Sequence, residues 1–185
     1  MDTFIEQIVL KKKDAKEIAI IVGVALAALV VAVAAFLFLP SFLVFVLVGV
    51  GYGAWWLISA QNKEYEYCVT NGDIDVDLIV ARRKRRRVVS VAGRKVESLL
   101  PYDPQKPQSM YQRVVVAAPS AEVAGLWCFT YHSKKNGHTL VVFQPEERVL
   151  QALYGGLQKL VQLDTDRAAR ELGISLNARH VAQDR

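Results

Sequence analysis

From Ile18 to Asn62 the chain carries no Asp, Glu, Lys, Arg or His. Two apolar runs, Ile18–Leu39 and Phe42–Ile58, are split only by Pro40-Ser41. At about 1.5 Å rise per residue the first would span about 33 Å as a helix and the second about 25 Å. A bilayer core is about 30 Å thick. The pattern predicts a two-helix transmembrane hairpin over residues 18–62. A buried core helix would be shorter and carry polar positions, whereas here the whole circumference is apolar. A cleaved signal peptide has an apolar part of about 7–15 residues, shorter than the first run, and no second run follows it.

The flanks set expectations for the ends. Pro40 lacks an N–H and ends the first helix, and Ser41 is a candidate cap for the second. Tyr52, Trp55 and Trp56 fall near the end of the second helix, where amphipathic rings suit the headgroup level. Gly49/Gly53, Gly23/Ala27 and Ala28/Ala32 repeat a small-xxx-small spacing that lets helices approach closely in lipid. That face serves either the packing of the two helices on each other or a homodimer. Lys11, Lys12, Lys13 and Lys16 precede the first span and Lys63 follows the second. Positive flanks stay cytoplasmic, so two spans put both termini inside a cell membrane.

The segment 1–17 reads as an amphipathic interfacial helix. Thr3 and Glu6 form a candidate capping box, and Phe4, Ile5, Ile8 and Val9 fall on one face. Mean hydropathy is +0.20 with 52% hydrophobic residues, an average over the apolar hairpin and an ordinary globular remainder. Residues 63–185 hold 19 Lys/Arg against 14 Asp/Glu. Six of those positives are Arg82, Arg83, Lys84, Arg85, Arg86 and Arg87; without them the region is slightly acidic. The basicity is one patch, which argues for a local contact and against nucleic acid as a partner.

After the hairpin the hydrophobic period changes to two. Glu64–Thr70 alternates, Asn71-Gly72 is a hairpin turn signal, and Asp73–Leu78 alternates acid with apolar residues. Val88–Val91 is a third strand, and Arg94–Leu100 is a short segment without a clear period. Pro101, Pro104 and Pro107 mark an extended loop. Strands follow at Tyr111–Ala118, Leu126–Ser133 and His138–Gln144, the last two joined by a second Asn-Gly turn at Asn136-Gly137. A helix starts at Pro145, with Glu146 and Glu147 at its positive end. Its apolar spacing runs to Val161, through Gly155-Gly156. A further short helix begins near Asp164, and the final residues read as frayed.

Tyr65–Ile74, followed by Arg82–Val91, resembles the opening of bacterial membrane-anchored pleckstrin-homology-like (PH-like) domains. There a strand ending in a turn leads to a second strand, a basic turn and a third strand. The chain is also similar to a small family of Gram-positive bacterial membrane proteins of the same layout. The resemblance implies a membrane α + β protein with the transmembrane hairpin first. An antiparallel β domain over residues 63–163, a partly open PH-like barrel closed by a C-terminal helix, follows, with a helical or frayed tail over 164–185. It further implies binding of lipid headgroups or of protein, not catalysis.

The residues themselves add no reaction. No Gly-x-Ser-x-Gly, no Cys-His signature and no glycine-rich phosphate loop occurs. Asp73, Asp75 and Asp77 lie on a predicted strand, not on a calcium loop. His132 and His138 flank a turn, too few for zinc. Cys68 and Cys128 have no metal spacing and read as buried thiols in strands. The expectation is a non-enzymatic protein with no cofactor, metal or catalytic residue. The site is the run Arg82–Arg87. Either it meets anionic lipid headgroups or a membrane protein partner, or it forms a charge ladder with Asp75 and Asp77. A second reading makes the chain an accessory or scaffolding subunit of a larger membrane complex.

Overall fold

The computed structural model describes residues 3–176. They form two compact units. The first is the hairpin with the short segment Ile79–Lys84. Helix α1 (Ala15–Phe38) begins at a capping box in which Asp14 N–H donates to Glu17 Oε2 at 3.0 Å. Helix α2 (Leu43–Ser59) packs against it. Both helices are long and apolar enough to cross a membrane, and almost none of their surface is buried. The link differs from expectation at one residue. Pro40–Phe42 form a single 3-10 turn, and α2 starts from Phe42 with no side-chain cap, so Ser41 does not serve as one. Nor do the glycines mediate the α1–α2 contact. A Cβ added at Gly23, Gly49 or Gly53 would meet nothing within 4 Å.

The second unit is built on two four-stranded sheets. One has the order β1 (Phe4–Leu10), β2 (Lys63–Thr70), β3 (Asp73–Val80), β4 (Lys84–Val91). The other is formed by β5 (Val96–Pro101), β6 (Arg113–Ala117), β7 (Trp127–Ser133) and β8 (Gly137–Phe143), in the order β5-β7-β8-β6. Their inner faces share one core. At its centre Phe143 meets Tyr67 and Phe129 edge-on, at 5.6 and 5.3 Å between centroids. Such T-shaped contacts suit the ring quadrupoles. The Tyr67 hydroxyl donates to the carbonyl of Ala117, and burial raises its pKa. Helix α3 (Glu147–Tyr154) adds Val149, Leu150 and Leu153 to this core. Helix α4 (Lys159–Glu171) packs on β5, where Thr165 Oγ1 donates to the Leu99 carbonyl at 2.9 Å.

Three expectations change. Residues 4–10 are a strand, not part of an interfacial helix. They pair antiparallel with β2 from Phe4↔Thr70 to Leu10↔Glu64. Ile5, Gln7 and Val9 turn inward, and Gln7 bridges the Gln144 carbonyl and the Glu146 N–H. A period of two and a period of 3.6 both fit so short a run, and pairing to a strand sixty residues away decides. Strand β6 runs parallel to β8, so the domain is not wholly antiparallel. The link 118–126 carries the chain past the sheet, and β8 inserts between β6 and β7. Finally, the helix expected from Pro145 to Val161 stops at Tyr154, and α4 starts at Lys159, ahead of the expected Asp164. The frayed end expected for the tail lies outside the described residues from 177 on.

The break at Gly155-Gly156 holds a glycine that sterics require. A Cβ on Gly156 would lie 2.5 Å from the Cα of Gly72, and one on Gly93 would lie 2.3 Å from the Gly72 carbonyl oxygen. Three backbones therefore meet where no side chain fits: the β2–β3 turn, the 3-10 turn Gly93–Lys95 and the α3–α4 link. Gly155 is different, with helical angles and nothing closer than 3.6 Å to an added Cβ. Gly156→Ala should destabilise the protein by about 1–3 kcal/mol through overpacking. Gly155→Ala should be neutral or stabilising by up to about 1 kcal/mol. Thermal unfolding of the two variants checks both signs.

Candidate functional site

The six basic residues divide between the two units at Lys84/Arg85. In the hairpin unit, Ala81 and Arg82 sit at the tip of the β3–β4 turn with φ of 54° and 55°. Arg83 N–H donates to the Val80 carbonyl at 3.0 Å across it. Two successive left-handed residues make a type I′ turn, whose favoured occupants are Asn-Gly. Ala and Arg there hold a conformation L side chains resist. The turn is fastened to the end of α2. Ala81 N–H donates to the Asn62 carbonyl at 2.7 Å, and the Arg83 guanidinium donates to Ser59 Oγ. The same guanidinium lies 5.4 Å over the Trp55 ring, a cation–π distance. Beside it the helix ends are tied by Lys63 Nζ to Glu17 Oε1 at 2.7 Å. Cations thus collect at the open end of an apolar helix pair. Arg82, Arg83 and Lys84 are all exposed there.

In the β unit the basic run is a charge ladder. Arg85 Nε reaches Asp77 Oδ2 at 2.8 Å, and its Nη2 lies against Glu66 Oε2. Arg87 reaches Asp77 Oδ1 at 2.9 Å and Asp75 Oδ2 at 2.8 Å. The hydrogen bond to Asp77 raises the Arg87 pKa further above its ordinary value. The pairing with Asp75 and Asp77 agrees with the sequence. Glu66 had no part in it, and its role follows only from the strand order. These acids point away from the core, yet Glu66 and Asp77 are 4% and 3% exposed. Among the described residues Glu6, Glu66 and Cys68 also place ligand-type atoms within 4.8 Å of one another. Arg85 answers that charge, with Nη2 3.8 Å from the Cys68 sulfur. Burial, then Glu6 and the two aspartates, raises the Cys68 pKa. Arg86 is exposed and makes no ion pair among the described residues.

The chain matches the bacterial PH-like domain family DUF6106 over residues 1–161. The chain belongs to that family. The match takes in the helix pair as well as both sheets, so the bacterial PH-like domain comes with its hairpin. No curated protein and no solved structure matches the chain. The function of the family is unknown.

The sequence singled out the basic run but not its division. Ser59, Asn62 and Trp55, which fix the turn, carry no signal of that role. The absence of Gly, Asn or Asp between Val80 and Arg83 hides the turn itself.

Three outcomes follow. Replacing the turn by Ala81→Asn with Arg82→Gly should stabilise the protein by about 1 kcal/mol, by relieving the strain of two left-handed residues. Arg85→Ala takes the cation from buried Glu66 and leaves Asp77 to Arg87 alone, and should cost about 2 kcal/mol, between a surface pair and a buried one. Asp75→Asn, at a half-exposed acid, should cost less than about 1 kcal/mol. Chemical denaturation of the full chain reads all three.

Proposed function

We propose that this bacterial PH-like protein is a non-enzymatic integral membrane protein. In this reading the helix pair spans the cell membrane twice and presents the β domain at the inner leaflet. There Arg82 and Lys84 contact anionic lipid headgroups, while Arg83 holds the turn that carries them. The observation that carries the reading is the turn held to the end of α2 by Arg83, Trp55 and Ser59, at the price of two left-handed residues. Trp and Tyr near that end suit the interface, and cationic flanks favour the cytoplasmic side. Pairing of β1 with β2 supports an even number of crossings, because the strands before and after the hairpin must share one compartment. Arg85 and Arg87 are spent on buried acids and contribute structure.

Near an anionic surface each Lys or Arg contributes about 1 kcal/mol. Arg82→Gln with Lys84→Gln should therefore lower the preference of the reconstituted protein for spin-labelled phosphatidylglycerol over phosphatidylcholine. The expected loss is about thirtyfold, from about 2 kcal/mol. The wild-type preference should also weaken as salt rises. An unchanged preference in the double variant would remove the lipid contact.

A second reading, an accessory subunit of a larger membrane complex or a homodimer, is favoured by the open glycine faces at Gly23, Gly49 and Gly53. Gly49→Leu would then abolish co-purification or self-association in mild detergent while leaving the lipid preference intact.

A further inference from the structure

The Pro-containing segment that the sequence marks as a loop crosses the outer face of the second sheet. Its ends are fixed. Tyr102 N–H donates to the Leu126 carbonyl at 2.8 Å, and Gln112 exchanges two hydrogen bonds with the His138 backbone. Tyr111 stacks against the His138 ring at 5.1 Å, and His138 Nε2 bonds Glu97 at 2.8 Å. Between these anchors the segment does not fill the space beneath it. A cavity of about 190 Å³ remains, floored by Ser98, Cys128, Thr130 and Leu140 and roofed by Tyr102 and Tyr111.

An unfilled apolar space of this size forfeits dispersion contacts along its walls. A benzene-binding cavity is about 150 Å³, so one aromatic ring fits here. The floor is not wholly apolar. Ser98 Oγ and Thr130 Oγ1 bond each other at 2.7 Å, and Thr130 is only 5% exposed. Each hydroxyl keeps acceptor capacity for a further donor. The electrostatics favour an uncharged occupant. Asp103 and Lys106, one of each charge, both line the cavity. Burial pushes the Cys128 thiol up to about 11, despite Lys106, so the wall stays neutral. Met110, 61% exposed beside the cavity, is unbranched and able to adapt to what enters.

We propose that this cavity binds a small neutral molecule with a single aromatic ring and one hydrogen-bond-donating substituent, of the phenol class, directed at the Ser98–Thr130 hydroxyl pair. The site is separate from the basic turn and does not depend on how that turn works.

The test uses the full chain in detergent with Cys68→Ser, leaving Cys128 as the only thiol. Millimolar 4-fluorophenol should slow alkylation of Cys128 by N-ethylmaleimide severalfold, and benzoate at the same concentration should not. In fluorine NMR the 4-fluorophenol line should broaden with this protein and lose that broadening with Cys128→Phe, which fills the cavity. Partition into detergent is common to both proteins and cancels. Should Cys128→Phe fail to fold, Ser98→Leu fills the same floor from the neighbouring strand. Absence of protection, equal protection by benzoate, or equal broadening in the filled variant would each overturn the proposal.

Discussion

Three backbones meet at Gly72, Gly93 and Gly156 closer than any side chain permits. That contact fixes how the C-terminal helices close on the first sheet. It lies just past the end of α3, whose Val149, Leu150 and Leu153 enter the core. α4 then turns onto β5. The Phe143 cluster fills the centre between the two sheets. Packing at native density leaves little room for adjustment. A methyl group at the junction therefore has to push backbone apart.

The run Arg82–Arg87 reads as a single patch but performs two jobs. Arg85 and Arg87 neutralise acids that the first sheet has removed from water. An uncompensated carboxylate in such a place is costly, so these guanidinium groups act as structural parts. Arg82, Arg83 and Lys84 belong to a turn that accepts unfavourable backbone angles. Backbone strain of this kind persists where the surroundings over-determine it. Here the surroundings are Asn62, Ser59 and Trp55. Arg83 is a positioning residue: its cation–π contact and hydrogen bond spend its charge on holding the turn.

Most of the strands were legible because alternation and Asn-Gly turns are local signals. Asn71-Gly72 and Asn136-Gly137 both close hairpins, the second with His132 opposite His138. The helix pair was legible from length and the absence of charge alone. What escaped was set by partners distant in sequence. Phe4–Leu10 satisfies two periodicities, and only β2 chooses between them. Strand β6 alternates like any strand, and nothing within it says that its neighbour will be parallel. The α3–α4 break looked like a weak point in one helix, because Gly156 reveals its purpose only when Gly72 and Gly93 stand beside it. At the candidate site the charges could be read, but their burial could not. Asp77 and Asp75 look alike in sequence, yet one is sealed beneath two arginines and the other is half open to water.

The pairing of β1 with β2 also imposes an order of events. Phe4 meets Thr70 only after the whole helix pair has been synthesised. Until then an N-terminal strand with alternating Phe4, Ile8 and Leu10 on its outer side has no sheet to join. Non-local pairing of this kind is slow, since the loop must close before the contacts reward it. The leading strand thus waits on the helices: it can join the first sheet only when the chain that left it has come back as β2.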